Sequence, residues 1–182
     1  TLANPNNPDG GRHDPLEILA LAERGVRGNS HLIIDEAYAD FENEISIAPY
    51  LPHPALSVLR SFGKSYGLPG VRLGFLLTGE SLAERMRTML GAWAVGTAAI
   101  TIGCKALQDR VWLDVQKEKL ARDIKRLLKM CHTIDLPVVG HTNLFALTSS
   151  REALTLWPHL CKQGIVTRSF QDRPTDIRLG LP

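Results

Sequence analysis

Apolar and polar positions follow two rhythms along this chain. Residues 14–25 (DPLEILALAERG) carry apolar side chains at helical spacing. Asp14 stands as N-cap, Pro15 takes the first helical position and Glu17 follows three residues after the cap. The pattern predicts a helix ending near Gly25. HLIID (31–35) is a short apolar run closing on an acid, which predicts a buried strand with Asp35 at its carboxyl end. The polar, proline-containing stretch 41–54 (FENEISIAPYLPHP) predicts a loop. ALSVLRS (55–61) and VRLGFLLT (71–78) are the next strand candidates, separated by the Gly/Pro-rich loop GKSYGLPG. The opening TLANP reads as the end of another strand.

Further along, Ser81 and Glu84 form a capping-box pattern that opens a helix through Leu90. From about Val111 to Cys131 the residues Leu113, Leu120, Ile124, Leu127 and Cys131 fall on one stripe among Lys, Arg and Asp, as in a long amphipathic helix. Pro137 and Gly140 punctuate, TNLFALT (142–148) predicts a strand, and Ser149 with Glu152 predicts a capped helix to about Lys162. GIVTRSF (164–170) and DIRLGLP (176–182) predict short strands. Alternating strands and helices argue for an α/β fold. The change to a charged long helix suggests a boundary, giving a larger domain over 1–110 and a smaller α+β domain over 111–182.

Composition narrows the class. Of 182 residues, 44% are apolar and 22% charged, near the globular average, and the net charge is +2. These values exclude a disordered chain and a coiled-coil rod, and predict neither a nucleic-acid nor a membrane partner. The most apolar stretch, 92–104, is well short of the roughly 20 residues of a membrane helix. Three scattered cysteines and six scattered histidines have neither disulfide-framework nor metal-site spacing, so no metal is expected and a cytoplasmic location is. Trp93, Trp112 and Trp157 read as core or interface anchors. The chain opens on Thr1 in mid-strand, which suggests a fragment of a longer protein.

Chemistry concentrates in the first 72 positions. Asn7 lies in ANPNNPDGG, Asp35 and Tyr38 in IIDEAYADF, and Ser61, Lys64 and Arg72 in RSFGKSYGLPGVRLGF. Each lies at or just past a predicted strand end, where open α/β sheets bind ligands. A half-buried Asp35 demands a cationic partner. Lys64, among Gly63, Gly67 and Gly70, is free to approach a ligand, and a lysine with a lowered pKa forms a Schiff base with an aldehyde. Ser61 and Arg72 suit a phosphate. A basic ring nitrogen, an aldehyde and a phosphate together describe pyridoxal 5'-phosphate. Plainer readings exist for these side chains. Asp35 with Glu36 makes a capping or solvent-paired acid couple, and Tyr38 makes core packing. Gly63-Lys64-Ser65 also resembles the end of an ATPase phosphate loop, but the glycine required five residues earlier is Val58.

Taken in order and spacing, NPNNPDG, DEAY and SFGKSYGLPGVRLG resemble the fold-type I pyridoxal-phosphate enzymes of the aminotransferase class I/II family, in the branch similar to histidinol-phosphate aminotransferases. The resemblance implies a mostly parallel large-domain sheet with helices, truncated here, plus part of a small C-terminal domain. By the same resemblance Lys64 is the covalent cofactor anchor and Asp35 the partner of the pyridine nitrogen. Asn7 and Tyr38 hydrogen-bond the phenolic oxygen, while Ser61 and Arg72 bind the cofactor phosphate. Gly63 replaces a hydroxyl residue frequent in the family, which removes one phosphate contact. Arg178 in IRLGLP matches the arginine for the substrate carboxylate, and Arg168 lies where related enzymes place another.

The wording SIAPYLPHPALSVLRSF and PVVGHTNLFAL is most similar to family members that decarboxylate L-threonine O-3-phosphate in cobalamin assembly. That implies a small phosphorylated amino-acid substrate and a homodimer when full length. An aminotransferase and a catalytically incomplete remnant are the alternatives. The glycine-rich phosphate turn and the ring-stacking aromatic of the family are expected upstream of Thr1.

Overall fold

The computed structural model describes residues 1–42 and 44–181. Asn43 of the expected 41–54 loop and Pro182 of the last expected strand lie outside the described residues. The chain divides into two compact units, one formed by 1–5 with 12–112 and the other by 6–11 with 113–182.

The first unit is built on a four-stranded sheet in the order β1 (Leu2–Ala3), β2 (Leu32–Asp35), β3 (Leu56–Ser61), β4 (Gly74–Leu77). The first three strands run parallel and β4 is antiparallel to β3. Helix α1 (Pro15–Arg27) makes the crossover from β1 to β2. The Asp14 carboxylate caps it, accepting from Leu16 N at 2.7 Å, and Pro15 opens it, as the sequence predicts. The helix extends two residues past Gly25. Ile18 and Ala22 of α1 close over Ile34, Leu56 and Val58 of the sheet, with Ile47, in one buried cluster. This apolar floor places the carboxyl ends of β2 and β3 side by side, with Asp35 paired to Leu59.

Three local expectations are corrected in this unit. The stretch after β3 is not open loop: Phe62–Ser65 make a single helical turn, α2, followed by a 3-10 turn at Pro69–Val71. Helix α3 (Glu80–Leu90) takes Gly79 as its N-cap, not Ser81. Helix α4 (Thr97–Gln108) was not legible in a stretch with few polar positions to mark its faces. Trp93 is 94% exposed and anchors no core within this unit, whereas Trp112 stacks on Tyr66 at 5.6 Å between ring centres.

Helix α5 (Arg110–Thr133) buries Leu120, Ile124 and Cys131 of the stripe that the sequence marks, while Leu113 and Leu127 are half-buried. The second unit carries an antiparallel sheet in the order β5 (Val138–His141), β6 (Phe145–Ser149), β8 (Asp176–Gly180), β7 (Arg168–Ser169). Strand β5 was hidden in sequence by its flanking Pro137 and internal Gly140. Helix α6 (Ala153–Lys162) starts after Glu152 and not at Ser149, which is the last residue of β6. The loop 6–11 lies on β5 at backbone distance: a Cβ on Gly140 would stand 1.8 Å from the Asp9 carbonyl oxygen, and one on Gly10 2.4 Å from that of His141. Only glycine permits such an approach at both places. Among the described residues, no helix is long and apolar enough to cross a membrane.

Candidate active site

In the first unit a cleft of about 400 Å³ opens at the carboxyl ends of β2 and β3. Asp35, Ser61, Lys64 and Arg72 all line it, together with Gly63 and Pro69. Four of the eight residues marked in sequence therefore share one wall-to-wall space. Asp35 is half-buried and its Oδ1 accepts from the N–H of Ala37 at 2.9 Å. That bond turns the chain out of the sheet and into the segment that carries Tyr38. Lys64 is exposed on α2, and its Nζ lies 4.0 Å from the centre of the Tyr38 ring, a cation–π contact. Tyr38 thus joins the group through Lys64.

Arg72 holds its place by an unusual backbone. Its φ of 57° and ψ of 40° are left-handed, a conformation that side-chain-bearing residues seldom adopt and that clusters at functional sites. One guanidinium nitrogen donates to the Pro69 carbonyl at 3.3 Å. Gly63 has a steric reason for lacking a hydroxyl: a Cβ there would come within 2.8 Å of Pro69 Cα. A side chain at position 63 therefore requires the Pro69 turn, which leads to Arg72, to shift.

In the second unit, Asn7 Oδ1 accepts from Arg178 at 2.5 Å. Arg178 also lies 5.1 Å from the centre of the Phe145 ring, and Arg168 is its neighbour across the β7–β8 pair. Arg168 itself is exposed. Asp9 holds the Asn7 loop in shape. Its carboxylate accepts from Gly11 N at 2.9 Å and from Asn6 at 2.9 Å, and the Gly11 bond foremost keeps its pKa below the ordinary carboxylate value.

Four residues around the cleft escaped the sequence reading. Glu36 is fully buried, which overturns the solvent-paired reading of the Asp35–Glu36 couple. It accepts from Ser46 Oγ at 2.6 Å, Ile47 N at 2.7 Å and Arg60 at 2.5 Å. The other nitrogen of the Arg60 fork donates to Asp40, and Ser65 Oγ bonds the second Asp40 oxygen. A buried carboxylate needs such partners. The one available sequence signal was an arginine inside the apolar run LSVLRS. Beside this network, Tyr66 stacks on Phe62 at 4.7 Å, and burial, with the Asp40 charge, pushes its phenol pKa up.

The donor set of the cleft fits pyridoxal phosphate: a carboxylate for a protonated ring nitrogen, an amine for an aldehyde, and a hydroxyl and guanidinium for a phosphate. The chain is 37% identical over 181 residues to a threonine-phosphate decarboxylase of Pseudomonas aeruginosa, covering 100% of this chain and 54% of that protein. It is 30% identical over 174 residues to a histidinol-phosphate aminotransferase of Chromohalobacter salexigens, covering 93% of this chain and 49% of that one. The chain therefore spans about half the length of these relatives. Its fold matches the crystal structure of the Sinorhizobium meliloti histidinol-phosphate aminotransferase in complex with pyridoxal-5'-phosphate, with a TM-score of 0.85 and 21% identity over 98% of this chain and 52% of that one. Residues 1–181 match the model of the aminotransferase class I and II family, and the chain belongs to that family.

Proposed function

We propose that the full-length gene product containing this chain is a pyridoxal-phosphate-dependent lyase. It removes CO2 from L-threonine O-3-phosphate to give (R)-1-aminopropan-2-yl phosphate for cobalamin assembly. The observation that carries the cofactor reading is the single cleft lined by Asp35, Ser61, Lys64 and Arg72. The choice of reaction is supported by the 37% identity to a threonine-phosphate decarboxylase.

Bound pyridoxal phosphate supplies an electron sink for the bond broken at the substrate α carbon. The residues of the chain hold and orient. Lys64 anchors the cofactor covalently and is the amine positioned to move a proton. Asp35 keeps a ring nitrogen protonated by facing it with a charge. Ser61 and Arg72 grip the phosphate, and Tyr38 and Asn7 serve the phenolic oxygen. Arg178, with Arg168, takes the substrate carboxylate; the amide of Asn7 already fixes the Arg178 guanidinium at 2.5 Å. The carboxylate's angle to the ring decides which bond breaks, so this arginine is the specificity element. A homodimer in the cytoplasm completes the proposal, and the three free thiols fit a reducing compartment.

The second reading is amino transfer to or from histidinol phosphate, favoured by the 30% identity to such an aminotransferase. One experiment separates the two. The full-length product is given L-threonine O-3-phosphate and pyridoxal phosphate without a keto acid, and released CO2 is measured. Turnover supports the lyase. Absence of CO2, with amino transfer once 2-oxoglutarate and histidinol phosphate are supplied, overturns the lyase in favour of the aminotransferase. The isolated chain, spanning about half its relatives, is expected to turn over neither substrate.

A further inference from the structure

Glu36, Asp40, Arg60 and Ser65 have no role in the chemistry proposed above, although Arg60 also lines the cleft, and they form one continuous polar chain. Arg60 reaches from β3 with one nitrogen on Glu36, at 2.5 Å, and the other on Asp40. Ser65 Oγ bonds Asp40 and stands 3.0 Å from the Ser61 carbonyl oxygen. Burial of the group is uneven: Glu36 is closed off, while the Arg60 and Asp40 side chains keep 24% and 19% of their exposure.

The spacing of these contacts is informative. Glu36 and Asp40 bracket Tyr38, so one guanidinium pins both ends of the segment that carries the phenol. Ser65 directly follows Lys64, so the second Asp40 oxygen ties the lysine's own turn to that same segment. Lys64 is exposed, and its long stem is otherwise free to rotate. Its one described ring contact, 4.0 Å over Tyr38, depends on these two segments keeping their places. A packing role alone does not require charges, since well-packed apolar side chains of equal volume often replace buried ion pairs at no cost in stability. A fork that spans two carboxylates at fixed spacing instead fixes geometry.

We infer that Glu36, Arg60, Asp40 and Ser65 are positioning residues that set the Lys64 amine over Tyr38. The inference rests on the reading of Lys64 as the cofactor anchor. Its test uses the full-length product loaded with pyridoxal 5'-phosphate, beside Ser65→Ala and Asp40→Asn. Three quantities are read: the melting temperature, the site of attachment after borohydride reduction and peptide mass mapping, and the induced circular dichroism of the cofactor's visible band. Ser65→Ala removes one hydroxyl and is expected to melt close to the parent, which keeps the comparison valid if Asp40→Asn folds poorly. The expected result is attachment still at Lys64 but an induced signal per bound cofactor lowered by about threefold or more, because a loosened supporting shell no longer fixes one orientation. A folded Ser65→Ala protein with the parent's induced signal overturns the inference while leaving the anchor intact. A parent protein that carries no cofactor on Lys64 overturns the anchor and the inference with it.

Discussion

Loss of Arg60 should cost the fold heavily. It is the positive partner of Glu36, which has no exposure to water. Removing one member of a buried pair leaves an uncompensated charge, at a cost of about 3–5 kcal/mol. Arg60→Ala should lower unfolding free energy by that amount in urea titration, and Glu36→Gln by less, because the amide can keep part of the hydrogen bonding. Gly63 gives a second prediction at this scale. Restoring a hydroxyl there by Gly63→Ser would add a phosphate donor in isolation. Here the new Cβ meets Pro69 Cα at 2.8 Å, so overpacking of about 1–3 kcal/mol is expected. Calorimetry should give a lower melting temperature and weaker pyridoxal-phosphate binding; tighter binding would show that the Pro69 turn yields easily.

Among the elements, the loop 6–11 and strand β5 carry the clearest prediction. Gly140→Ala places a Cβ 1.8 Å from the Asp9 carbonyl, and backbone cannot swing aside as a side chain can. The loop must lift from β5 and take Asn7 away from Arg178. Hydrogen exchange should then show faster opening at 6–11 and 138–141, with α1 unchanged. The same loop should respond to acid. Asp9 has its folded pKa held below the ordinary 3.8, chiefly by the Gly11 N–H. Its contribution is thus complete above 3.8 and fades as pH falls through the lower folded value. Loop opening should rise only in that acid window, and Asp9→Asn should abolish the rise.

These elements also mark how far the sequence was readable. Strands β2 and β3 were legible because each is an apolar run that stops on a polar residue, Asp35 and Ser61, and the cleft residues follow from those stops. Helix α1 announced itself through Asp14 and Pro15. Strand β5 did not, since Gly140 is there for the close approach of residue 9 and reads locally as a breaker. The Glu36–Arg60–Asp40–Ser65 chain was illegible for a different reason. Its bonded partners lie 20 to 25 residues apart along the chain, as from Asp40 to Arg60 and to Ser65, and the β2–β3 pairing brings them together.

At the scale of the molecule, α3, α4 and the turn between them carry large apolar side chains that the described residues leave uncovered. Met89, Leu90, Trp93 and Ile100 are 78%, 62%, 94% and 51% exposed. Large apolar side chains left in water, where they adjoin one another, mark an interaction face or an aggregation site. The isolated chain should bind a hydrophobic dye strongly and scatter light with rising concentration, whereas the full-length product should do neither. Equal dye binding by both would mean that this face serves a different partner.

The central claim is that Lys64 is the covalent anchor of a pyridoxal-phosphate site built from Asp35, Ser61 and Arg72. Its most direct test is borohydride reduction of the full-length product with pyridoxal 5'-phosphate, followed by peptide mass mapping, beside Lys64→Ala. The account predicts one pyridoxyl group on the peptide carrying Lys64, lost with its visible absorption band in the variant. Modification at another lysine, or a visible band that survives Lys64→Ala, would contradict it.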